Sequence, residues 1–281
     1  MIIWIASYPK SGNTWLRAII ASLVYSDDGI FSFEKLKKIR QFPEKQYFKD
    51  LVKNFKDFDE IKKNWITAQD KVNLDGKIRF FKTHQGNFKI GNDHFTNNQN
   101  TQAAIYIVRD PRNLITSISN HYSLSLDEAY KFLTSPTLRG NGKSWEEKKD
   151  GMFCFLGKWN EHYKSWTQNT KNLLLLRYED LITEPKRELE KVIFFLNKHV
   201  NFKTDNIKNN KILESTSFEK LKEMEKRGLF IEGVLKKETG LKVNFFNLGP
   251  KNVWQNSLNN KIVSKIEDSF REEMKEIGYL Q

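Results

Sequence analysis

The chain has 281 residues, 38% hydrophobic and 13% aromatic, enough apolar material for a sizeable core and a composition that excludes a largely disordered chain. Its 47 Lys and Arg outweigh 35 Asp and Glu, a formal charge of +12 that points to an anionic partner; the excess is scattered as Lys beside Asn, without the basic, aromatic-interleaved stripe of a nucleic-acid groove. Cys154 is the single cysteine, so an intrachain disulfide is excluded, and no secretory segment or membrane span is visible; a cytoplasmic protein without membrane insertion is expected.

The opening MIIWIAS is a continuous apolar run, the pattern of a strand covered on both faces. A turn-rich stretch, YPKSGNT, follows, and then Trp15, Leu16, Ile19, Ile20, Leu23 and Val24 recur at helical spacing. Strand, loop and helix in that order create an anion site. The N–H groups opening a helix lack partners, and the positive end of its dipole stands behind them. Gly12 allows close backbone approach, Ser11 and Thr14 add hydroxyl donors, and Lys10 adds a charge. The Walker nucleotide loop places its Lys after the second Gly, whereas here Lys10 precedes Gly12 and the first Gly is missing.

Residues 26–75 are rich in Lys, Asp and Phe without a strong strand pattern, and are expected as helical or loop insertions over the ligand site. RFFKTH is the next buried-strand candidate, with His84 at its end, where α/β folds place ligand chemistry. AAIYIVRDP is another; Arg109 closes it, Pro111 suits the first turn of a helix, and Ser117 lies two turns on. Arg109 can fork onto a phosphate, or it can pair with Asp110. Residues 123–150 form a second insertion, EAYKFL and GKWNEHYKSWTQ read as helices, and Cys154 reads as a small core residue. NLLLLRYED is a further strand, and EPKRELEKVIFFLNK a helix with Pro185 near its first turn. His94, His121, His162 and His199 read as surface or packing residues. The sum is one α/β domain over 1–281: a central parallel sheet flanked by helices, opening on a phosphate-loop-like strand–loop–helix.

YPKSGNTW resembles the 5′-phosphosulfate loop YPKSGTTW of the cytosolic-type sulfotransferases, which use 3′-phosphoadenosine 5′-phosphosulfate (PAPS) and release the desulfated bisphosphate (PAP). The resemblance implies that Lys10 meets the bridging oxygen of the phosphosulfate, that Ser11 to Thr14 cradle the 5′-phosphate, and that Trp15 stacks on adenine. Asn13 replaces the usual Thr and offers an amide donor. Five further segments resemble family motifs in the family's order. Arg109 and Ser117 are similar to its 3′-phosphate pair, and Lys82 and His84 to its catalytic K-T-H. Tyr178 stands in its Y-E-D-L stretch as an adenine contact. Thr216 and Phe218 of T-S-F would line the adenine pocket with Ser217 nearby. Gly249 and Trp254 keep the spacing of R-K-G-x-x-G-D-W. In that last motif the two basic residues are Asn247 and Leu248, with Lys251 or Lys242 as candidate replacements.

The resemblance implies in-line transfer of a sulfuryl group to a hydroxyl or amine of a small-molecule acceptor. His84 would act as base, Lys10 and Lys82 would steady negative charge, and no metal would take part. A nucleotide kinase and a non-catalytic anion-binding module of the same fold are the alternatives. Residues 26–75, 85–100, 123–150 and 225–247 are expected to shape the acceptor pocket; their aromatic content suits a flat or lipid-like acceptor, with carbohydrate left open. The family's dimer motif does not stand out near the C-terminus, and oligomeric state stays open.

Overall fold

A computed structural model describes residues 1–140, 152–230, 234–235 and 242–281. The four apolar runs become strands, joined by one short strand more: β1 (Ile2–Ala6), β2 (Arg40–Gln41), β3 (Arg79–Thr83), β4 (Thr101–Val108) and β5 (Leu173–Arg177). They form a five-stranded sheet in the order β2-β3-β1-β4-β5, with every neighbouring pair parallel. All five residues of β1 are buried because both faces are covered. Ile2, Trp4 and Ala6 enter one core with Phe81 and Tyr106, while Ile3 and Ile5 enter the other with Ile105 and Ile107.

The principal helices are α1 (Asn13–Tyr25), α2 (Pro111–Tyr122), α3 (Trp159–Asn169), α4 (Pro185–Leu196), α5 (Phe218–Lys226) and α6 (Asn260–Ile277). Pro111 and Pro185 occupy first-turn positions, where a missing N–H costs nothing, and the Asp110 carboxylate accepts from the Arg112 N–H to cap α2. EAYKFL lies in a helix, Leu126–Thr134, begun by a capping box between Ser125 and Glu128. The C-terminal α6 buries Ile262, Ile266, Phe270 and Met274 in the first core. It is tied to α2 by Arg112, which pairs with Asp110 at 2.7 Å and with Glu267 at 2.6 Å.

Residues 26–75 fold into short helices, Phe33–Leu36, Lys45–Phe48, Phe58–Lys63 and Trp65–Asn73, and also supply β2. That strand has only two residues and carries no periodicity; it exists because Arg40 and Gln41 pair with Phe81 and Lys82 of β3. Of the other expected insertions, residues 141–151, 231–233 and 236–241 lie outside the described residues. The chain starts mid-sheet at β1, builds β2 and β3 on one side, then β4 and β5 on the other. The strand order thus reverses beside β1, which opens a crevice at the carboxyl ends of the strands.

Candidate active site at the carboxyl edge of the sheet

The loop from β1 to α1 turns through two left-handed residues, Lys10 at φ 70° and Gly12 at φ 98°. A β-carbon on Gly12 would stand 2.5 Å from Cδ2 of Tyr178, so the position tolerates glycine alone. Behind the loop, the Tyr8 hydroxyl donates to the Phe132 carbonyl at 2.9 Å. The Asn13 amide donates to Ile5 O at 3.0 Å and Ser7 Oγ at 3.2 Å. This corrects the expected role of that amide: its N–H groups fasten the loop to β1 and do not face a ligand. No side chain caps α1, so its first N–H groups stay available. The Ser11 hydroxyl is buried and has no partner among the described residues.

A cavity of about 660 Å³ opens over this loop and along the strand ends. Its wall includes Lys10, Gly12, Asn13, Thr14 and Trp15 from the loop and α1, with Lys82 and His84 from the end of β3. Arg109 and Ser117 come from β4 and α2, Tyr178 follows β5, and Phe218 and Gly249 close the far side. Three expected residues are not brought to the wall. Ser11 is fully buried, Thr216 donates its hydroxyl to Ile212 O at 2.7 Å, and Ser217 Oγ caps α5 by accepting from the Lys220 N–H at 3.4 Å.

Arg109 does not pair with Asp110, whose carboxylate is taken by Arg112. Instead its Nη1 donates to Lys10 O at 3.1 Å, and its guanidinium lies 4.3 Å from the centre of the Tyr178 ring. Its Nε is buried without a partner among the described residues. Trp15 meets Tyr178 edge-on at 5.8 Å. The Lys10 ammonium sits 3.9 Å over the Phe245 ring and 3.4 Å from His121 Nδ1. His121 is therefore a wall residue beside the loop lysine, and not the surface or packing residue the sequence suggested.

His84 is held at Nδ1, 2.8 Å from Ser7 O. A carbonyl only accepts, so Nδ1 carries the proton and Nε2 keeps its lone pair. Nε2 makes no hydrogen bond among the described residues. Burial, with the Lys82 charge second, pushes the imidazole pKa down to about 3. Beneath it, the fully buried His162 donates from Nε2 to His84 O at 3.0 Å and accepts at Nδ1 from the Tyr106 hydroxyl at 2.8 Å. Burial pushes the His162 pKa down to about 4.

At the far side Asn247 and Leu248 reach the wall, and Lys251 does not. The Lys222 ammonium donates to Asn247 O at 2.9 Å; the Lys242 side chain lies outside the described residues. A β-carbon on Gly249 would meet the Phe218 ring at 2.2 Å, which explains the glycine by packing. Sequence reasoning missed Arg17, a wall residue only 2% exposed whose Nη2 donates to Thr14 Oγ1 at 3.0 Å. The available signal was an arginine, the one charged residue in the sequence of α1. Among the described residues no group of His, Cys, Asp and Glu is arranged to hold a metal, and no helix is long and apolar enough to cross a membrane.

A family model described as the sulfotransferase domain matches residues 2–278. Sulfotransferase 1C2 of Rattus norvegicus is 25% identical over 275 residues, spanning 96% of this chain and 82% of the relative. Sulfotransferase 1 family member D1 of Mus musculus is 25% identical over 281 residues, spanning 98% and 83%. Among solved structures, mouse sulfotransferase SULT7A1 complexed with PAP superposes with a TM-score of 0.58 at 20% identity over 97% of this chain and 83% of that one. Retinol dehydratase in complex with androsterone and PAP gives a TM-score of 0.60 at 19% identity over 98% and 80%. At such identities the structural likeness speaks for the fold.

Proposed function

The chain belongs to the sulfotransferase domain family and is a sulfotransferase; on that premise we propose that it moves a sulfuryl group from PAPS to a hydroxyl or amine of an acceptor, as one cytoplasmic domain over 1–281, with His84 as the base. The observation that carries this reading is that the Lys10 loop and Arg109, joined at 3.1 Å, share one cavity with an imidazole whose Nδ1 is tied to Ser7 O. The residues suit a nucleotide bisphosphate. Arg109 Nε is a buried donor on the cavity wall without a partner among the described residues, where an anionic end of the ligand would lie. Gly12 and the uncapped start of α1 leave backbone N–H groups for the 5′-phosphate. Both solved neighbours named above hold PAP, which favours the same ligand here.

In the proposed reaction the acceptor oxygen forms a bond to sulfur as the bond between sulfur and the phosphate oxygen breaks. The hydroxyl proton passes to His84 Nε2, whose basicity, lowered by burial, would be raised by the negative charge of the bound phosphosulfate, and PAP leaves with the bond's electrons. The step asks the protein for positioning and charge stabilisation. Lys10 and Lys82 supply positive charge on the cavity wall, and the Nδ1 contact holds His84 in the tautomer that accepts a proton. His84→Ala is expected to lower kcat roughly 10²–10⁴-fold, the usual worth of a general base, while PAP affinity holds. Equal loss of turnover and PAP binding removes His84 from the base role. Asn247 and Leu248, where the family carries a basic pair, favour the second reading, a module with weakened grip on the 3′-phosphate. PAP titration against ATP, with a labelled sulfuryl-transfer assay, separates the enzyme from that module and from a kinase.

A further inference from the structure

Of the four stretches expected to shape the acceptor pocket, 225–247 brings Phe245 and Phe246 to the cavity wall, whereas 26–75 keeps its large rings in the core. Phe42 and Phe48 are fully buried and Phe42 packs on Phe81 and Trp4, because the sheet's outer face needs them as core. What 26–75 gives the cavity wall is largely polar: Lys37, Arg40, Gln41, Glu44 and Gln46, with Ile39. The topology says which part of the reaction these residues serve. The nucleotide candidates follow β1, β4 and β5, His84 follows β3, and this polar wall surrounds β2, beyond the histidine. Gln41 stands beside Lys82 in the β2–β3 ladder. Among the described residues, this part of the cavity wall carries the cations Lys37 and Arg40 beside the Glu44 carboxylate.

A second cavity, about 690 Å³, runs along the outer edge of β2 and β3. Lys37 and Arg40 line both cavities, and the second adds Lys38, Lys71 and Arg79 against Glu34. Two of these cations are partly neutralised, Lys37 by Glu34 at 2.6 Å and Arg79 by Asp75 at 2.5 Å. The field along the edge remains positive and leads into the site.

Building on the sulfotransferase reading, we propose that the acceptor is an acidic oligosaccharide, which lies along this basic edge with its anionic groups on Arg40 and Lys37 and presents a hydroxyl to His84. The described aromatic rings of the cavity wall, Trp15, Tyr122, Tyr178, Phe218, Phe245 and Phe246, all come from outside residues 26–75, so a flat acceptor meets no ring on the part of the wall that 26–75 supplies. Single-stranded nucleic acid needs open ring faces. Here the Tyr25 ring has the Lys38 ammonium over it at 5.2 Å and Phe80 at its edge, and Tyr47 is packed on Phe42 and Phe81. A polyol with spaced carboxylates matches cations separated by Gln side chains, which bond its hydroxyls. The transfer step is the one already written, with a sugar hydroxyl as nucleophile.

The test compares three acceptors with labelled PAPS: an oligosaccharide of alternating glucuronate and N-acetylglucosamine, the same chain with its carboxylates reduced to alcohols, and 2-naphthol. Binding of each to the PAP complex is measured calorimetrically. Transfer to the acidic chain is expected, with KM about tenfold higher for the reduced chain and about tenfold higher again for Lys37→Ala/Arg40→Ala on the acidic chain, while PAP Kd is unchanged. Its affinity should also fall as salt rises from about 50 to about 300 mM. Equal KM for acidic and reduced chains, preference for 2-naphthol, absence of binding to the PAP complex, or stronger competition by polyuridylate overturns the proposal. PAP binding separates the failures: intact PAP binding with no acid-chain recognition sinks only the acceptor assignment, whereas loss of PAP binding by the unaltered protein sinks the sulfotransferase reading itself.

Discussion

Replacing Gly12 by Ala tests the geometry on which the site depends. The new methyl would lie 2.5 Å from Tyr178 Cδ2, 3.0 Å from its Cε2 and 3.2 Å from Ile107 Cδ1. Tyr178 has little room to yield, being 6% exposed, covered on one face by Arg109 and met edge-on by Trp15. Overpacking of this kind costs about 1–3 kcal/mol. The left-handed backbone at φ 98° adds about 1–2 kcal/mol for any L side chain. The sum, about 2–5 kcal/mol, lowers Tm by roughly 4–10 °C at about 2 °C per kcal/mol for a chain of this length. Gly76→Ala is the control: φ is 67° and nothing lies within 4 Å of the added carbon, so it pays the backbone cost alone. Circular-dichroism melts of both variants, with PAP titration, read the two contributions separately. Because the clash can be relieved only by moving the loop or the Tyr178 ring, PAP affinity should fall in Gly12→Ala and hold in Gly76→Ala. Identical Tm shifts in the two variants, or full PAP affinity in Gly12→Ala, would refute the claim that Tyr178 and the loop are pressed together around the nucleotide.

Acid should weaken the fold through two desolvated imidazoles, the fully buried His162 and the half-buried His84 of the cavity wall. His84 and His162 have folded pKa values of about 3 and 4 against an ordinary 6.5, so between those values the unfolded chain binds protons that the folded chain refuses. Stability is full above pH 6.5 and falls as pH drops toward 4, each histidine contributing about 1.4 kcal/mol per pH unit within its window; urea midpoints across that range should show the slope, and His162→Gln should make it shallower. Asn247→Arg restores a cation to the far wall and should tighten PAP binding about tenfold, a charge-assisted bond's worth, without changing affinity for adenosine 5′-phosphate; equal gains for both nucleotides would place that wall away from the 3′-phosphate.

By itself the sequence determined the sheet's main strands and the glycine-bearing loop after the first of them. Burial on two faces writes a strand as an unbroken apolar run, as in IIWIA and AAIYIV, and a tight left-handed turn into a helix start needs the glycine at position 12. Both are local consequences of a few consecutive residues. Tertiary structure alone decided the rest. Two residues, Arg40 and Gln41, become a strand only because β3 offers an edge, and that pairing brings both to the cavity wall while Phe42 turns inward. Likewise Arg109 chooses the Lys10 carbonyl because Arg112 has already taken Asp110, and His121 and Arg17 reach the cavity through packing of α2 and α1. Those outcomes depend on competition among partners distant in the chain, which no local pattern records.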